Sequence, residues 1–332
     1  MKRFLLWGVA IAVALAAAPE YKVVGKIKIG GTGGWDYVYI DSAAQRLYAS
    51  HTNQTEVVDL AKGEKAGVIA ETTGVHGIAI AADLGKRFTS NGRANNVSVF
   101  DPKTLQVSGK IDTGKNPDAI LYEPVTHRLF TFNGSSKDST VIDAKAGTVI
   151  TTVPVGGKPE FAQADGKGKV YFNVEDTNEL VEIDAATAKV GKRIALAGCD
   201  EPSGLAIDTA KRRLFSVCGN KVMVVTDPDA GKIVATLPIG AGADGVAFDD
   251  GMAFSSNGGD GTVTVVGETG GKYAVLETVK TQASARTIGA DPKTHKLYLP
   301  AAEFGPPTEG KDGKQRRGGV LPDSFSIVIV GR

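Results

Sequence analysis

Short apolar segments alternate with turn residues along almost the whole chain. The segments are rich in Val, Ile, Tyr and Phe and are separated by Gly, Asn or Asp-Pro; residues 78–80, 87–89 and 97–100 are examples. This alternation predicts short β-strands joined by tight turns. Because no segment beyond residue 16 keeps a sustained helical period, the pattern predicts an all-β protein with almost no helix.

The strand pattern repeats with a period near 42 residues. In each repeat a Gly-rich approach leads to a first strand, and a turn leads to a second strand. A third strand then closes on Val-Asp or Phe-Asp, as at residues 58–59 and 100–101. The residues that open the first strands follow one another at intervals of 40 to 43 and are Asp36, His76, Asp118, Glu160, Ser203, Asp244 and Arg286. Those that end the third strands are Asp59, Asp101, Asp143, Asp184, Asp227 and Gly267. Seven repeats therefore fit the chain.

Seven units of four short antiparallel strands are the signature of a seven-bladed β-propeller. The segment at 21–30 matches a fourth strand with no blade in front of it, and the segment at 324–332 is a third strand with nothing after it. We therefore expect the N-terminal strand to pair beside residues 326–330 and to complete blade seven, because this pairing removes two open sheet edges. The predicted domain is a single propeller over residues 20–332.

One repeat is longer than the others. Gly267 and its counterpart Gly331 are 64 residues apart, and the excess of about 22 residues lies at 303–323, after the second strand of blade seven. Its Pro, Gly and charged residues favour a mobile surface loop beside the channel. Its basic residues are Lys311, Lys314, Arg316 and Arg317. Gating of the channel, anion binding and a merely solvated insert are all open roles for this loop.

Two segments carry a resemblance to a known family. Residues 201–217 read EPSGLAIDTAKRRLFSV, and residues 95–104 read NNVSVFDPKT. They match the approximate consensus G-x-x-P-x-G-hydrophobic, D-x-x-x-x-R-L-Y-V and N-x-V-x-V-I-D, so the chain resembles the YVTN (YncE-like) family of β-propellers. The resemblance implies a periplasmic or cell-surface protein, and some members are reported to contact nucleic acid or cell-wall partners. Related seven-bladed propellers include lactonases and a metal-dependent antibiotic lyase, but no catalytic motif of theirs maps onto this chain.

The composition of the chain limits the classes of function that it can have. Lys and Arg total 38 against 37 Asp and Glu, a formal net charge of +1, which removes the electrostatic footprint of a dedicated duplex-DNA-binding protein. A basic start, an apolar stretch at 4–15 and small residues at 14 and 16 predict a cleaved signal peptide over residues 1–16. An uncleaved membrane anchor is the alternative. We expect the mature protein to be a monomer without a membrane span, in the periplasm or outside the cell.

Propeller geometry indicates where a binding site should lie. First strands line the central channel, so the seven residues that open them are expected to ring one mouth of the channel. The ring contains four carboxylates, His76 and Arg286. Clustered carboxylates repel one another, so this mouth favours a bound cation, an Arg partner or a raised carboxyl pKa. The alternative is that these side chains only satisfy turn amides.

Further candidates lie on the same predicted face. His51 ends the second strand of blade one, and with His76 and Asp36 it could bind Zn²⁺ or Cu²⁺, or alternatively Ca²⁺. Against this metal site, the two histidines lie in different loops, and no spacing enforces their convergence. Other candidate ligands or bases are Glu175 and Glu303, and the aromatic residues Trp35, Tyr37 and Tyr39 could either stack a ligand or pack between blades.

The two cysteines are predicted to form a disulfide. Cys199 lies just before the first strand of blade five, and Cys218 ends its second strand. Antiparallel neighbours bring these ends together, and an oxidising compartment favours the bond. A redox or nucleophilic thiolate is the alternative, although no His adjoins either residue.

Two classes of function follow from these observations. The first is a binding or scaffolding propeller that presents the channel mouth to a periplasmic protein, a glycan or a small molecule. The second is a metal-dependent hydrolase or lyase, lactonase-like, at the acidic mouth. The absence of a catalytic motif favours the first, and binding of single-stranded nucleic acid is a third option that the near-neutral charge disfavours.

Overall fold

A computed structural model describes residues 20–309 and 315–332 and shows a seven-bladed β-propeller. Seven sheets of four antiparallel strands surround a central channel, as the repeat predicts. The predicted signal peptide, residues 1–16, lies outside the described residues. Within the described residues the only helical element is a single 3₁₀ turn at Glu175–Thr177.

The strands follow one another in chain order. The N-terminal strand and blades one and two comprise β1 (Lys22–Lys28), β2 (Val38–Asp41), β3 (Arg46–His51), β4 (Gln54–Asp59), β5 (Glu64–Ile69), β6 (Val75–Ala81), β7 (Lys86–Asn91), β8 (Asn96–Phe100) and β9 (Val107–Asp112). Blades three and four comprise β10 (Pro117–Glu123), β11 (Arg128–Asn133), β12 (Asp138–Asp143), β13 (Thr148–Pro154), β14 (Pro159–Ala164), β15 (Lys169–Val174), β16 (Glu179–Asp184) and β17 (Lys189–Ala195). Blades five and six comprise β18 (Pro202–Asp208), β19 (Arg213–Cys218), β20 (Val222–Asp227), β21 (Lys232–Pro238), β22 (Ala243–Asp249), β23 (Met252–Asn257), β24 (Thr262–Thr269) and β25 (Lys272–Lys280). Blade seven and its insertion comprise β26 (Gly289–Asp291), β27 (Lys296–Ala301), β28 (Thr308–Glu309), β29 (Gln315–Arg316) and β30 (Ser326–Gly331).

The N-terminal strand closes the ring. In blade seven the sheet order is β26, β27, β30 and β1, so the outermost strand comes from the start of the chain. Lys28 pairs with Ser326 and Lys22 with Gly331. First strands of successive blades contact one another around the channel, and β26 contacts β2. The predicted closure is confirmed, and it pairs the edges that β1 and β30 would otherwise leave open.

The core lies between blades. Second and third strands are buried on both faces, whereas fourth strands face solvent; β11 is almost wholly buried and β13 almost wholly exposed. Phe132 of blade three packs on Phe172 of blade four with ring centroids 4.9 Å apart. Burying a side chain of this size stabilises the fold by about 1.5–3 kcal/mol. Each blade therefore depends on its two neighbours for most of its apolar burial.

One buried position is filled in different ways around the ring. The last residue of the second strand is a fully buried Asn in blades two, three and six, namely Asn91, Asn133 and Asn257. Asn133 donates to Asp138 and Thr140 of the third strand at 2.6 and 2.9 Å. Such a side chain ties two strands together in a place where water cannot reach.

Blade five fills this position with a disulfide. Cys218 ends β19 and is bonded to Cys199, with Cα atoms 5.4 Å apart and a sequence separation of 19. Both residues are buried among apolar side chains that include Leu196 and Leu205. The predicted disulfide is confirmed.

The insertion in blade seven contains a short hairpin. Thr308 of β28 pairs with Arg316 of β29, and Phe304 forms a bridge with Val320. The amide of Leu321 donates to the carbonyl of Glu303 at 2.8 Å, which closes the base of the hairpin. Its composition favours a mobile surface loop and does not predict this pairing, because the Gly and Pro content masks the strand signal. The rest of the insertion, residues 310–314, lies outside the described residues.

In the two described ranges of the chain, no helix is long and apolar enough to cross a bilayer.

Candidate functional site

The residues at the predicted mouth are positioned by a repeated irregularity of the first strand. In blades two to six the pairing of first and second strands shifts by one residue near the start of the first strand. The residues at the shift are His76, Asp118, Glu160, Ser203 and Asp244. Asp36 and Arg286 lie just before β2 and β26. A β-bulge redirects a side chain, and here the bulges lie at the residues that surround the channel mouth.

A glycine follows several of these residues because neighbouring first strands come very close. A Cβ at Gly204 would lie 2.8 Å from the Cα of Gly245 and 3.0 Å from the carbonyl oxygen of Asp244. Only a residue without a side chain fits this approach of two backbones. The glycine of the repeat motif thus brings mouth residues of adjacent blades together.

Asp36, His76 and Asp118 form one group across blades one to three. Nδ1 of His76 lies 2.6 Å from Oδ2 of Asp36 and 3.6 Å from Oδ1 of Asp118. One ligand atom from each residue lies within 4.8 Å of the others, so the three could hold a metal ion. Without a metal, the same arrangement is a histidine proton shared between two carboxylates.

The titration of this group is shifted by its surroundings. Burial by itself lowers the pKa of His76, but the hydrogen bond with Asp36 and the charges of Asp118 and Asp36 outweigh it and raise that pKa to about 9. Burial and the charge of Asp36 raise the pKa of Asp118 to about 7. His76 is therefore charged at neutral pH, while Asp118 is only partly ionised.

Blade four adds a second cluster around Lys158. Nζ of Lys158 lies 2.8 Å from Oε1 of Glu160 and also pairs with Glu175. Burial and the charge of Asp118 raise the pKa of Glu160 to about 8, although Lys158 opposes the shift. Burial lowers the pKa of Lys158, but its hydrogen bonds with Glu160 and Glu175 raise it above its usual value. Glu160 and Glu175 therefore share one cation.

Blades five to seven complete the ring with Asp244 and Arg286. The guanidinium of Arg286 pairs with Asp244 and donates to the carbonyl oxygen of Trp35 at 2.6 Å. The hydroxyl of Ser203 donates to Oδ1 of Asp244 at 2.9 Å. Arg286 thereby links blade six to blade one across the seam where the ring closes.

Two aromatic rings close the channel beneath these charges. Tyr37 of blade one stacks on Phe161 of blade four, with ring centroids 4.1 Å apart and planes inclined by 26°. Both rings line a mouth cavity of about 310 Å³, together with Asp36, Asp118 and Glu160. A further cavity of about 290 Å³, whose lining includes Ile207 and Ile288, has no lining residue in common with it. The mouth cavity is therefore blind.

The blind cavity has a surplus of negative charge. Six carboxylates (Asp36, Asp118, Glu160, Glu175, Glu201 and Asp244) line it, against three cationic groups in its lining or at its rim (His76, Lys158 and Arg286). Oδ1 of Asp118 has no hydrogen-bond partner within the described part of the chain, and neither has the buried hydroxyl of Tyr37. Burial and the charge of Asp118 also raise the pKa of Tyr37 well above its usual value. This cavity can accept a cation, which would pair with Asp118.

Three sequence candidates lie elsewhere than the mouth cavity. His51 is 3% exposed, its Nδ1 lies 2.9 Å from Glu56, and its ring packs on Phe325, so it is not in the group of Asp36 and His76. It fills the position that Asn occupies in other blades, which explains its burial. Glu303 is exposed at the base of the inserted hairpin and does not line the mouth cavity. The indole of Trp35 is buried against Phe325, and the group that Trp35 contributes to the mouth is its backbone carbonyl, which accepts from Arg286.

Lys158 and Phe161 were missed from the sequence, although a signal for each exists. Two residues before the ring position the repeats carry small, Asn or Glu residues, and only blade four carries Lys. One residue after the ring position the repeats carry Gly, Ala or Thr, except for Tyr37 and Phe161. A large residue at a position that is otherwise small marks a side chain that enters the channel.

The raised pKa of Asp118 predicts a pH-dependent stability. A carboxyl whose folded-state pKa of about 7 exceeds its unfolded value favours folding most when protonated, and this contribution is lost as pH rises through about 7. Asp118→Asn mimics the protonated form. We expect the variant to match the wild type at about pH 4, near the ordinary pKa of an Asp carboxyl, and to be more stable by about 1–3 kcal/mol at about pH 8. Urea unfolding at both pH values checks this.

Asp112→Asn is the matched control for this experiment, because Asp112 is an exposed carboxylate at the end of β9 on the same face. It should change stability little at either pH. A destabilised Asp118→Asn variant at about pH 8 would show that the ionised carboxylate stabilises the empty mouth.

Comparisons with known proteins confirm the fold and leave the family open. No family model matches this chain. A chain of Kuenenia stuttgartiensis Hydrazine Synthase is similar in structure, with a TM-score of 0.69 and 16% sequence identity, covering 88% of this chain and 96% of that one. At this identity the likeness shows the propeller fold alone.

A short stretch is similar to Antigen Lp49 of Leptospira interrogans serogroup Icterohaemorrhagiae serovar copenhageni. The two are 34% identical over 86 residues, which is 26% of this chain and 19% of Antigen Lp49. The chain therefore matches about a fifth of the length of that relative.

Proposed function

We propose that this protein is an exported β-propeller that binds a small ligand in the channel mouth, and that the ligand group reaching the cavity floor is positively charged. The observation that carries the proposal is the blind cavity, where six carboxylates meet three cations above the Tyr37–Phe161 stack. Binding requires no catalytic group, and no catalytic motif was found in the sequence. The channel mouth is the binding surface.

The carboxyl of Asp118 is the group that would pair with the positive group of the ligand. His76, Lys158 and Arg286 have their shortest contacts with other carboxylates, and Asp118 is left with His76 at 3.6 Å. A ligand ammonium beside Asp118 would replace the proton that the carboxyl holds when the cavity is empty. The aromatic rings of the floor favour a cation further, because the face of a ring carries partial negative charge.

Two features of the chain support an exported location. Residues 1–16 have the features of a signal peptide, and the Cys199–Cys218 disulfide fits an oxidising compartment, so we place the protein in the periplasm or outside the cell. The repeat motifs support membership of the YVTN (YncE-like) family. We propose a monomer whose partner is a small molecule or the charged end of a glycan or periplasmic protein.

Thermal unfolding in the presence of alkyl monoamines and diamines tests the proposal. We expect amines to raise the unfolding temperature more than sodium chloride at the same ionic strength, because binding to the folded state alone stabilises it. The effect should grow from about pH 6 to about pH 8 as the mouth carboxyls lose their protons. It should disappear in Asp118→Asn and persist in Asp112→Asn.

A metal-dependent hydrolase or lyase is the second candidate, favoured by the ligand atoms of Asp36, His76 and Asp118. A metal would have to displace the proton that Nδ1 of His76 holds between the carboxylates, so Zn²⁺ binding should tighten with pH. Stoichiometric Zn²⁺, Cu²⁺ or Ca²⁺ that is lost in His76→Ala, without any effect of amines, would replace the first candidate by the second. If neither amines nor metals raise the unfolding temperature, the mouth is not a cation site.

A further inference from the structure

A second cavity borders the mouth between blades six and seven. Its volume is about 620 Å³, and its charged lining side chains are Asp244, Arg286 and Arg317. Asp244 and Arg286 also line the blind mouth cavity, so the two spaces adjoin. A ligand that reaches the floor beside Asp118 can therefore extend toward Arg317.

Glycines form much of the wall of this second cavity. Gly242 has a φ of +66°, and a Cβ there would lie 2.6 Å from the amide nitrogen of Gly259. A Cβ at Gly258 would lie 2.9 Å from the Cβ of Arg286. These positions therefore tolerate only glycine without a shift of the loops. The absence of side chains leaves space in front of the two arginines.

The inserted hairpin of blade seven places Arg317 at this cavity. The guanidinium carbon of Arg317 lies 3.3 Å from the centroid of the Phe304 ring. Phe304 is fixed by its bridge with Val320 and packs beside Trp35, with ring centroids 6.1 Å apart. A cation held over an aromatic face has a restricted orientation, which prepares it to bind a ligand.

The two arginines carry like charges in one cavity. Burial and the positive charge of Arg286 lower the pKa of Arg317. Arg286 has Asp244 as its partner, whereas no carboxylate among the described residues pairs with Arg317. An anion between two guanidinium groups removes their repulsion and accepts charge-assisted hydrogen bonds from both.

We propose that Arg286 and Arg317 form a subsite for a carboxylate or phosphate group of the ligand whose positive end binds in the mouth cavity. The ligand is then dipolar, with its cationic group beside Asp118 and its anionic group beside the inserted hairpin. This inference rests on the proposed function for the cationic end. The arginine pair itself can be tested independently of that end.

The first experiment probes the arginine pair alone. Inorganic phosphate and acetate are added at constant ionic strength, and the unfolding temperature of wild type, Arg317→Gln and Lys115→Gln is measured. Lys115 is an exposed lysine in the loop between β9 and β10, so its variant removes one positive charge away from the arginine pair. We expect phosphate or acetate to stabilise wild type and Lys115→Gln, and to have no such effect on Arg317→Gln. Whichever anion stabilises more strongly identifies the preferred group.

The second experiment uses calorimetry to measure whether a ligand with both a positive and a negative group binds more tightly than an amine. Wild type is titrated with ω-amino acids, with aminoalkyl phosphates, and with alkylamines of equal length that lack the anionic group. We expect the best dipolar probe to bind about tenfold more tightly than its matched amine, the effect of one charge-assisted hydrogen bond. Arg317→Gln should abolish this difference while leaving the affinity for the amine unchanged.

The outcomes separate the two proposals. One outcome is that amines bind, that dipolar probes bind no more tightly than amines, and that phosphate and acetate stabilise Arg317→Gln as much as wild type. The anion subsite is then wrong, and the proposed function stands. If an anion stabilises the protein through Arg317 but no amine binds, the subsite stands and the cationic floor is wrong. Failure of every probe overturns both.

Discussion

A chain that begins at Gly30 should lose most of its resistance to heat and urea relative to one that begins at Glu20. The missing segment contains β1 and buries Ile27 and Ile29, which are 5% and 8% exposed. It also contains Tyr21, which packs edge-on against Phe254 of blade six at 5.2 Å. Each buried side chain contributes about 1.5–3 kcal/mol. The sum is comparable with the total stability of roughly 5–15 kcal/mol that a typical protein has.

Substitutions in the full chain separate ring closure from a general effect of shortening. Ile27→Asp places a charge in the buried interface of β1 and should destabilise the protein by several kcal/mol, since an unpaired buried charge is costly. Val24→Asp is the matched control, because Val24 lies on the same strand and is 45% exposed. Differential scanning calorimetry compares the unfolding temperatures of the shortened chain, Ile27→Asp and Val24→Asp with that of the full chain. A shortened chain that unfolds at the temperature of the full one would refute closure by β1.

Removal of the disulfide should have the second largest effect. The double variant Cys199→Ala with Cys218→Ala is expected to lose about 3 kcal/mol of unfolding free energy, because the bond restricts a loop of 19 residues in the unfolded chain. Loss of two buried sulfur atoms that contact the core of blade five adds to this cost. Urea unfolding under non-reducing conditions measures the difference.

Wild-type protein that is reduced while unfolded and refolded with reductant present serves as the control. It keeps both sulfur atoms and lacks only the bond, so it should lie between the oxidised wild type and the double variant. Equal stability of all three forms would mean that the bond does not stabilise blade five.

The repeat made the architecture and the mouth predictable. Because the period is near 42 residues in every blade, equivalent positions can be identified along the chain. Residues as distant as Asp36 and Arg286 can therefore be assigned to one ring from the sequence alone. The structure places both beside the mouth cavity. The assignment depends on closure of the ring, because closure brings residues of equal phase in the repeat close together in space.

What the sequence did not provide is the direction of individual side chains. His51 and His76 lie on the same face, but His51 ends a second strand, where side chains pack between blades, and His76 lies at a bulge of a first strand. The stack of Tyr37 on Phe161 joins blades one and four, and no local pattern pairs such distant residues. The hairpin of the insertion was hidden because its short strands are embedded among Gly and Pro.

The stack of Tyr37 on Phe161 has a mechanical consequence for the toroid. Tyr37 belongs to blade one and Phe161 to blade four, so the stack spans the central channel and does not join neighbouring blades. Blades one and four cannot move apart without separating the two rings. The stack also separates the mouth cavity from the cavity lined by Ile207 and Ile288, so each end of the bore presents its own set of side chains.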